Sequence, residues 1–596
     1  VVDLSRVPLC NGVMTLEADI RKALKHLNSG GYKPALKQAR IGMKRHKAHP
    51  LFPNIAGVAT SALGSPRNAV GFFQKALALD PGFSDARKNL AQALIQLGKP
   101  DIAIGQLDRV IAVAPKDDIA WYLKAQALLA LGQAADAEDA AGRSLDFRPG
   151  QAAALNLRAL ARNAQGLEAE ALADFEAALA DDPDNVETLL NISLPLARAL
   201  RGEESSAAIR RATQLAPDRP DVWLRYGAHL VETGATEQAQ QAFRRVLKLI
   251  PANADAIELL AGLNDAAENQ KLLPVVENAL RVCAKHSEDY AALCFARARI
   301  AMQNGELEDF ARHLGQANAT MARLMPHDMA TDSAQTEAVF ARFAEPVADE
   351  TAVQDGRARP IYVLGLPRSG TTLAEAVLAR HPDVTPLGER AVPGVLLGPF
   401  VTGAGVFGPE ERAAFVAEDA ARLPELPEGC RAYVDKMPDN YRLLGFLAQA
   451  YPRACFVHMR RDPRDIALSL WQARFSGRAL SYAYDFEAMA HRFNLYARLM
   501  AHWQQVFAGR VLEMRYEDLV RDVTTGGQAM AAHCRLDWVP EMATPEAAIG
   551  QVLTLSASQV RQPVHTRSIG KWRQHEAMLA PLVERLDPDL WPDIRS

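Results

Sequence analysis

Residues 362–384 read YVLGLPRSGTTLAEAVLARHPDV, an apolar strand-like run that enters a glycine-containing turn and continues as a helical pattern. The spacing G-x-x-x-x-G runs from Gly365 to Gly370, but Thr371 and Thr372 stand where a nucleoside-triphosphate loop needs Lys followed by Ser or Thr. Backbone N–H groups from Arg368 to Thr372, backed by the dipole of the following helix, are expected to hold a tetrahedral anion whatever molecule carries it. The lysine of a triphosphate loop neutralises the β- and γ-phosphates, and its hydroxyl neighbour holds Mg²⁺. Here the cation is Arg368, earlier in the loop, and the strand-like runs end in VHMRRDP and LEMRYED, basic residues first. Such a loop serves a magnesium triphosphate poorly and a smaller phosphosulfate well.

A second constellation lies in FVHMRRDPRDIALSLW, residues 456–471. Arg461 ends a strand-like run and Ser469 falls within the following helix, so a charged fork and a hydroxyl can converge on one further phosphate. The two motifs together describe a ligand with phosphates at two separate places. Arg464 and Asp465 are expected to cap or pair locally at the helix start.

These residues need a scaffold. Strand-like PIYVLGL, RACFVHMR and GRVLEMRY each lead into a helical run, the pattern of a parallel-sheet α/β domain whose ligands sit beyond the carboxyl ends of its strands. The first half of the chain is different. Prolines recur at Pro81, Pro115, Pro149, Pro183, Pro217 and Pro251, 34 residues apart, with Gly98, Gly132, Gly166 and Gly234 and then Ala103, Ala137, Ala171 and Ala239 at fixed offsets. Proline ends a helix, glycine permits the tight turn, and alanine lets paired helices approach closely. The pattern resembles the tetratricopeptide repeat, a helix-turn-helix unit. The fold class is therefore an α-solenoid of tetratricopeptide repeats followed by an α/β P-loop-like parallel-sheet domain. The boundaries read as 16–325 for the array, 326–357 for a capping helix and linker, and 358–596 for the second domain. The array is expected to fray where Pro50 and Lys285 break the register. Trp121, Tyr122, Trp223 and Tyr226 either line a groove or fill the inter-helix core.

With both motifs in place, residues 358–580 resemble the sulfotransferases that use 3′-phosphoadenosine 5′-phosphosulfate (PAPS). The likeness is to the tyrosylprotein branch and to a bacterial family that joins such a domain to tetratricopeptide repeats. The resemblance makes LPRSGTT, with Pro367, Arg368, Ser369, Gly370, Thr371 and Thr372, the 5′-phosphosulfate loop, and Arg461 and Ser469 the 3′-phosphate element. It assigns Glu389, in HPDVTPLGE, as general base and Lys436, in VDKMPDN, as a transition-state cation beside Arg368. Tyr516 becomes a nucleotide contact, and Ser568, Gly570, Lys571 and Trp572 a late loop over the cofactor. Gly570 departs from a family serine, for which Ser568 is the substitute at hand. Ala473 departs from a family arginine, with Arg474 adjacent. His458, inside an apolar strand, is read as structural.

The implied activity is sulfuryl transfer from PAPS to a hydroxyl, leaving adenosine 3′,5′-bisphosphate, with no metal required. Tyrosine of a peptide or protein held by the repeats is the favoured acceptor, with Arg390, Arg474 and Arg478 as candidate contributors to its groove. A carbohydrate, lipid or small metabolite is the alternative, with the repeats used for assembly, including a homodimer. A repeat scaffold with a degenerate nucleotide domain, or a kinase-like ATPase, is the third reading. The net charge of −4 over 596 residues argues against a general affinity for nucleic acid or anionic membranes. Six scattered cysteines without C-x-x-C or zinc spacing, and a start, VVDLSRVPLC, without a signal-peptide pattern, suggest a reduced, cytoplasmic protein. The longest uncharged run, residues 391–409, is broken by Gly and Pro and reads as a mobile loop rather than a membrane helix.

Overall fold

The computed structural model describes residues 14–345, 358–475, 477–547 and 561–595. The chain start with Cys10, and the end of the capping-helix and linker segment expected at 326–357, lie outside the described residues. The chain divides into two compact units, Val1–Asn191 and Ile192–Ser596.

In the first unit helices alternate with tight turns, as in Ser84–Gln96 with Pro100–Val113 and Asp118–Ala130 with Ala134–Phe147. The turn glycines Gly98, Gly132 and Gly166 take φ of +69°, +75° and +72°, where a side chain would be strained. The same 34-residue ladder continues upstream through Gly64 and Gly30, at +80° and +73°. Glycine therefore carries the repeat through the region where the proline register breaks at Pro50. Ala103, Ala137 and Ala171 are fully buried. Gly57 faces Phe73 so closely that a Cβ would lie 2.4 Å from the ring. Trp121 donates its indole N–H to the Pro115 carbonyl at 2.8 Å, so it holds a turn.

The second unit opens with more helix pairs. Gly234 keeps the turn geometry, but Leu200 occupies the equivalent place at φ +62°. A non-glycine residue there costs about 1–2 kcal/mol, which packing of the repeat overrides. Trp223 repeats the tryptophan bond to Pro217. Helices Ala254–Leu263, Glu288–Asn304, Leu307–Leu324 and Met329–Arg342 follow.

Five parallel strands then form one sheet in the order β2-β3-β1-β4-β5. They are β1 (Arg359–Gly365), β2 (Val384–Pro386), β3 (Ala432–Asp435), β4 (Cys455–Arg460) and β5 (Val511–Arg515). All seven residues of β1 are buried, as a central parallel strand requires. Alternate residues serve opposite faces. Ile361 and Val363 join Val457, Leu373 and Leu519 on one side, while Tyr362 and Leu364 join Phe456 on the other. That second face also receives Phe295, Phe310 and Phe343 from the repeat helices and their cap. Phe343 packs edge-on against Phe446 and Trp503, with centroids 5.0 and 5.2 Å away. This shared core is why the division between units falls at 191/192, far upstream of the change in sequence pattern near residue 358. Among the described residues no helix is long and apolar enough to cross a membrane.

The connection leaving β1 runs through helix α1 (Thr371–Leu378) to β2 on one side. The connection leaving β4 runs through helix α2 (Pro463–Trp471) toward β5 on the other. Because β1 and β4 are neighbours, the two loops diverge and leave a crevice at the carboxyl ends of the strands.

Candidate active site

A cavity of about 730 Å³ occupies that crevice. Arg368, Gly370, Thr371 and Thr372 line it from the β1 loop, Arg461 and Ser469 from the β4 side. Tyr516, just after β5, and Ser568 and Lys571 of the late loop complete that wall. Glycine is obligatory at the loop base: a Cβ on Gly365 would lie 2.5 Å from the Met459 carbonyl oxygen of β4. Gly370, at φ +103°, likewise admits the Tyr516 ring, whose Cδ2 would lie 2.5 Å from a Cβ there. Leu373 and Ala374 are the first to donate back to Gly370, so the N–H groups of Thr371 and Thr372 precede the intrahelical bonds and end the helix toward the cavity.

Arg368 adopts φ +72°, a conformation that non-glycine residues avoid and that clusters at functional sites. Its Nε donates to Ser469 Oγ at 2.9 Å, and its carbonyl accepts from Arg461 Nη1 at 2.9 Å. Arg461 Nη2 donates to the Ser568 carbonyl at 2.8 Å, and its guanidinium lies 4.4 Å from the centre of the Tyr516 ring. One arginine thus ties the β1 loop, the end of β4, Tyr516 and the late loop together. Arg461 Nε and Ser369 Oγ are buried without a hydrogen-bond partner among the described residues. Burial, and then the charges of Arg461 and Arg299, hold the Arg368 guanidinium down to about 10. Clustered cations with an orphaned buried donor fit a polyanion.

Not every expected cofactor residue reaches this wall. Pro367, Ser369, Gly570 and Trp572 do not line the cavity. Ser369 is fully buried beneath the loop, and Trp572 is buried against the Arg464 guanidinium, 3.6 Å from its ring centre. Gly570, at φ +69°, donates its N–H to Asp465 Oδ2 at 2.7 Å, and Trp572 N–H donates to Oδ1 at 3.1 Å. Asp465 therefore does not pair locally, as its sequence position suggests, but pins the late loop across a long sequence separation. Arg464 does pair locally, donating to Asp462 at 2.8 Å.

The other candidate catalytic groups sit one step away. Lys436, immediately after β3, is 1% exposed and donates from Nζ to Glu389 Oε1 at 2.7 Å, while the Glu389 side chain is 39% exposed. Lys436 N–H donates to the Gly388 carbonyl, and Gly388 N–H donates to Glu375 Oε1 at 2.9 Å. Glu375 lies four residues, about 6 Å, along α1 from Thr371. Burial pushes its carboxyl up, and the Lys436 charge opposes that push. Glu375 was not singled out from the sequence, although its place four residues after Thr371 puts it on the same side of α1. Glu389 and Lys436 do not line the cavity.

His458 is buried in β4, bonded to the Tyr496 hydroxyl, with Glu513 Oε2 3.5 Å from Nδ1; burial lowers its pKa, and Glu513 opposes that shift. Arg390 is buried against Asp419 at 2.8 Å and so points inward rather than toward an acceptor. Arg474 pairs with Asp255, Glu258 and Glu288, all on repeat helices, while Arg478 stays exposed.

Residues 360–540 match the sulfotransferase family model and residues 62–127 the tetratricopeptide repeat model. An uncharacterized protein of Aquifex aeolicus is 24% identical over 65% of this chain, which spans 53% of that protein's length. A putative protein-tyrosine sulfotransferase of Caenorhabditis briggsae is 29% identical over 36% of this chain and 80% of its own. Protein-tyrosine sulfotransferase 1 of Danio rerio is 25% identical over 38% and 72%. Among solved structures, a thermophilic tetratricopeptide repeat protein of Thermus thermophilus is 23% identical, covers 30% of this chain and 96% of that one, and has a TM-score of 0.28.

Proposed function

We propose that this chain, which joins a tetratricopeptide-repeat region to a sulfotransferase-family domain, transfers a sulfuryl group from PAPS to the hydroxyl of a peptide tyrosine. The observation that carries the reading is the cavity at the β1/β4 switch point. It is walled by Arg368 on one side and Arg461 on the other, with an orphaned buried donor and no lysine at the triphosphate position.

In this reading the first-turn N–H groups of α1, Thr371, Thr372 and Arg368 hold the 5′-phosphosulfate end, and Arg461 and Ser469 the 3′-phosphate. PAPS supplies an activated sulfuryl group. Glu389, whose side chain is 39% exposed, accepts the acceptor's hydroxyl proton as the new O–S bond forms and the bridging S–O bond breaks. Lys436 stabilises the negative charge that develops on the transferring group, and Arg368 stabilises that charge together with the charge on the departing 5′-phosphate. Fixed cations serve where a kinase uses Mg²⁺. The protein-tyrosine sulfotransferases among the relatives support tyrosine as acceptor, and the cytoplasm is the compartment the scattered free cysteines favour.

Incubation with PAPS and a panel of tyrosine peptides, small phenols and sugars, read as the mass gain of one SO₃, tests this. Sulfated peptide is expected from the wild type and none from Glu389→Ala. A sugar sulfated in preference to every peptide would keep the donor chemistry and replace the acceptor. Binding of Mg·ATP without binding of adenosine 3′,5′-bisphosphate would overturn the donor as well.

A further inference from the structure

The cavity has a second wall, and it is built by the repeats. Helix Ala254–Leu263 contributes Glu258 and Gly262, four residues apart on one face. Helix Glu288–Asn304 contributes Phe295 and Arg299 at the same spacing. Arg299, an exposed side chain, therefore opens onto the cavity that holds Arg368 and Arg461; no hydrogen bond to its guanidinium is seen among the described residues, and the charge of Glu258 on the same wall acts on it.

The helix that carries it is held from both sides. Arg474, just beyond α2, forms ion pairs with Asp255, Glu258 and Glu288, so one guanidinium grips both repeat helices. Asn318, on the next repeat helix, donates its Nδ2 to the Trp471 carbonyl at the end of α2 at 2.9 Å. Phe295 is buried in the core shared with the sheet.

The charge balance points the same way. Glu258, the carboxylate on this wall, already accepts from Arg474 Nε at 2.6 Å. Arg299, Arg368, Arg461 and Arg567 set four further guanidiniums around the cavity beside the Lys571 ammonium, and Arg299 and Arg461 each depress the basicity of Arg368. Like charges gathered in a partly desolvated space cost free energy until a multiply charged anion joins them. A guanidinium with a free fork is suited to phosphate.

We propose that Arg299 is a phosphate-binding residue of the nucleotide site, supplied in cis by a repeat helix, so that the C-terminal repeats complete the pocket for the nucleoside 3′,5′-bisphosphate moiety. Arg474 and its three carboxylates act as positioning groups that hold Arg299 against the cavity. The inference rests on the donor reading given above and assigns the C-terminal repeats to the donor side of the reaction.

Titration calorimetry with adenosine 3′,5′-bisphosphate on the full chain tests it, comparing wild type, Arg299→Met and Arg299→Lys. Loss of one charged fork is expected to weaken binding about 10- to 100-fold in Arg299→Met. Arg299→Lys, which keeps the charge and loses the fork, should fall between the two. The wild-type affinity should also drop more steeply with added salt than that of Arg299→Met. If the wild type binds and both variants bind equally well with the same salt dependence, the role of Arg299 is overturned while the donor reading stands. If the wild type itself does not bind the bisphosphate, the donor reading fails first. Should Arg299→Met not fold, Arg299→Lys decides: wild-type affinity in that variant overturns the proposal.

Discussion

Replacing Lys436 by methionine separates chemistry from stability. The side chain is 1% exposed, and it pairs with Glu389 at 2.7 Å, which is itself 39% exposed. Breaking a buried ion pair costs about 3–5 kcal/mol when the remaining charge is trapped. Here the remaining carboxylate can turn to water, and methionine matches the length and volume of the lost side chain. Folding stability should therefore change by no more than about 1 kcal/mol. The nearby Glu375, already pushed up by burial, loses the one cation that opposes the shift and becomes easier to protonate, so no second buried charge is left unpaired. The transferring group, by contrast, loses a preorganised cation, which costs about 100- to 1,000-fold in kcat, or about 2.7–4 kcal/mol. Because Lys436 lies off the cavity wall, affinity for adenosine 3′,5′-bisphosphate should stay within about threefold of wild type. Single-turnover sulfation at saturating PAPS, calorimetry with the bisphosphate and urea unfolding give the three readouts. A kcat close to wild type would refute the role of Lys436. A loss of kcat that merely tracks a loss of folded protein would make the residue structural.

Three further outcomes follow from local geometry. Gly370→Ala sets a Cβ 2.5 Å from the Tyr516 ring and forces a side chain onto φ +103°, so the Tyr516–Arg461 stack must shift; calorimetry should show bisphosphate binding weakened about tenfold or more. Leu200→Gly relieves a left-handed leucine that is 43% exposed, and after the greater chain entropy of glycine is subtracted it should stabilise the second unit by about 0.5–1 kcal/mol in urea unfolding. Burial alone would raise the Asp332 carboxyl, but the His327 hydrogen bond and the charges of Arg492 and Arg442 hold it at about 2, below its ordinary 3.8. Its contribution, about 2 kcal/mol, is present above the unfolded pKa and disappears as pH falls through the folded one. Asp332→Asn should therefore cost about that much at neutral pH, with the difference from wild type shrinking as unfolding is measured from about pH 5 down to about pH 3.

The sequence carried the elements whose physics is local. Positive-φ glycines, helix-ending prolines and a fully apolar central strand each leave a mark within a few residues, and the repeats, β1 and β4 were legible from them. β2 was not, because three residues, Val384–Pro386, are too few to show a period. The site was legible where a motif and a strand end coincide, at Arg368, Arg461 and Ser469. It was illegible where a partner arrives from far along the chain. Asp465 looks like a helix-start acid until Gly570 and Trp572 are seen donating to it. Arg474 looks like a free cation until Asp255, Glu258 and Glu288 surround it. Glu375 falls between the two cases: its register with Thr371 was readable, but its bond to Gly388 depends on how the chain returns after β2.

The shared core also decides which truncation can reveal what the repeats do. A chain cut at residue 358 would lose Phe295, Phe310 and Phe343 from the core of the sheet. Each buried phenylalanine is worth about 3–5 kcal/mol, so together they approach or exceed the roughly 5–15 kcal/mol that holds a domain folded. Inactivity of that fragment would report unfolding, not loss of an acceptor surface. A chain beginning at Pro183, ahead of helix Val186–Arg198, keeps the whole second unit and every residue that lines the cavity. It should fold and bind adenosine 3′,5′-bisphosphate as the full chain does. If the first unit presents the acceptor, this fragment should sulfate a small phenol at the full-length rate while its kcat/KM for a peptide falls at least about tenfold. Equal loss for phenol and peptide, with bisphosphate binding intact, would refute presentation by the first unit. Full peptide turnover would do the same from the other direction, and would leave the second unit as the acceptor-binding body.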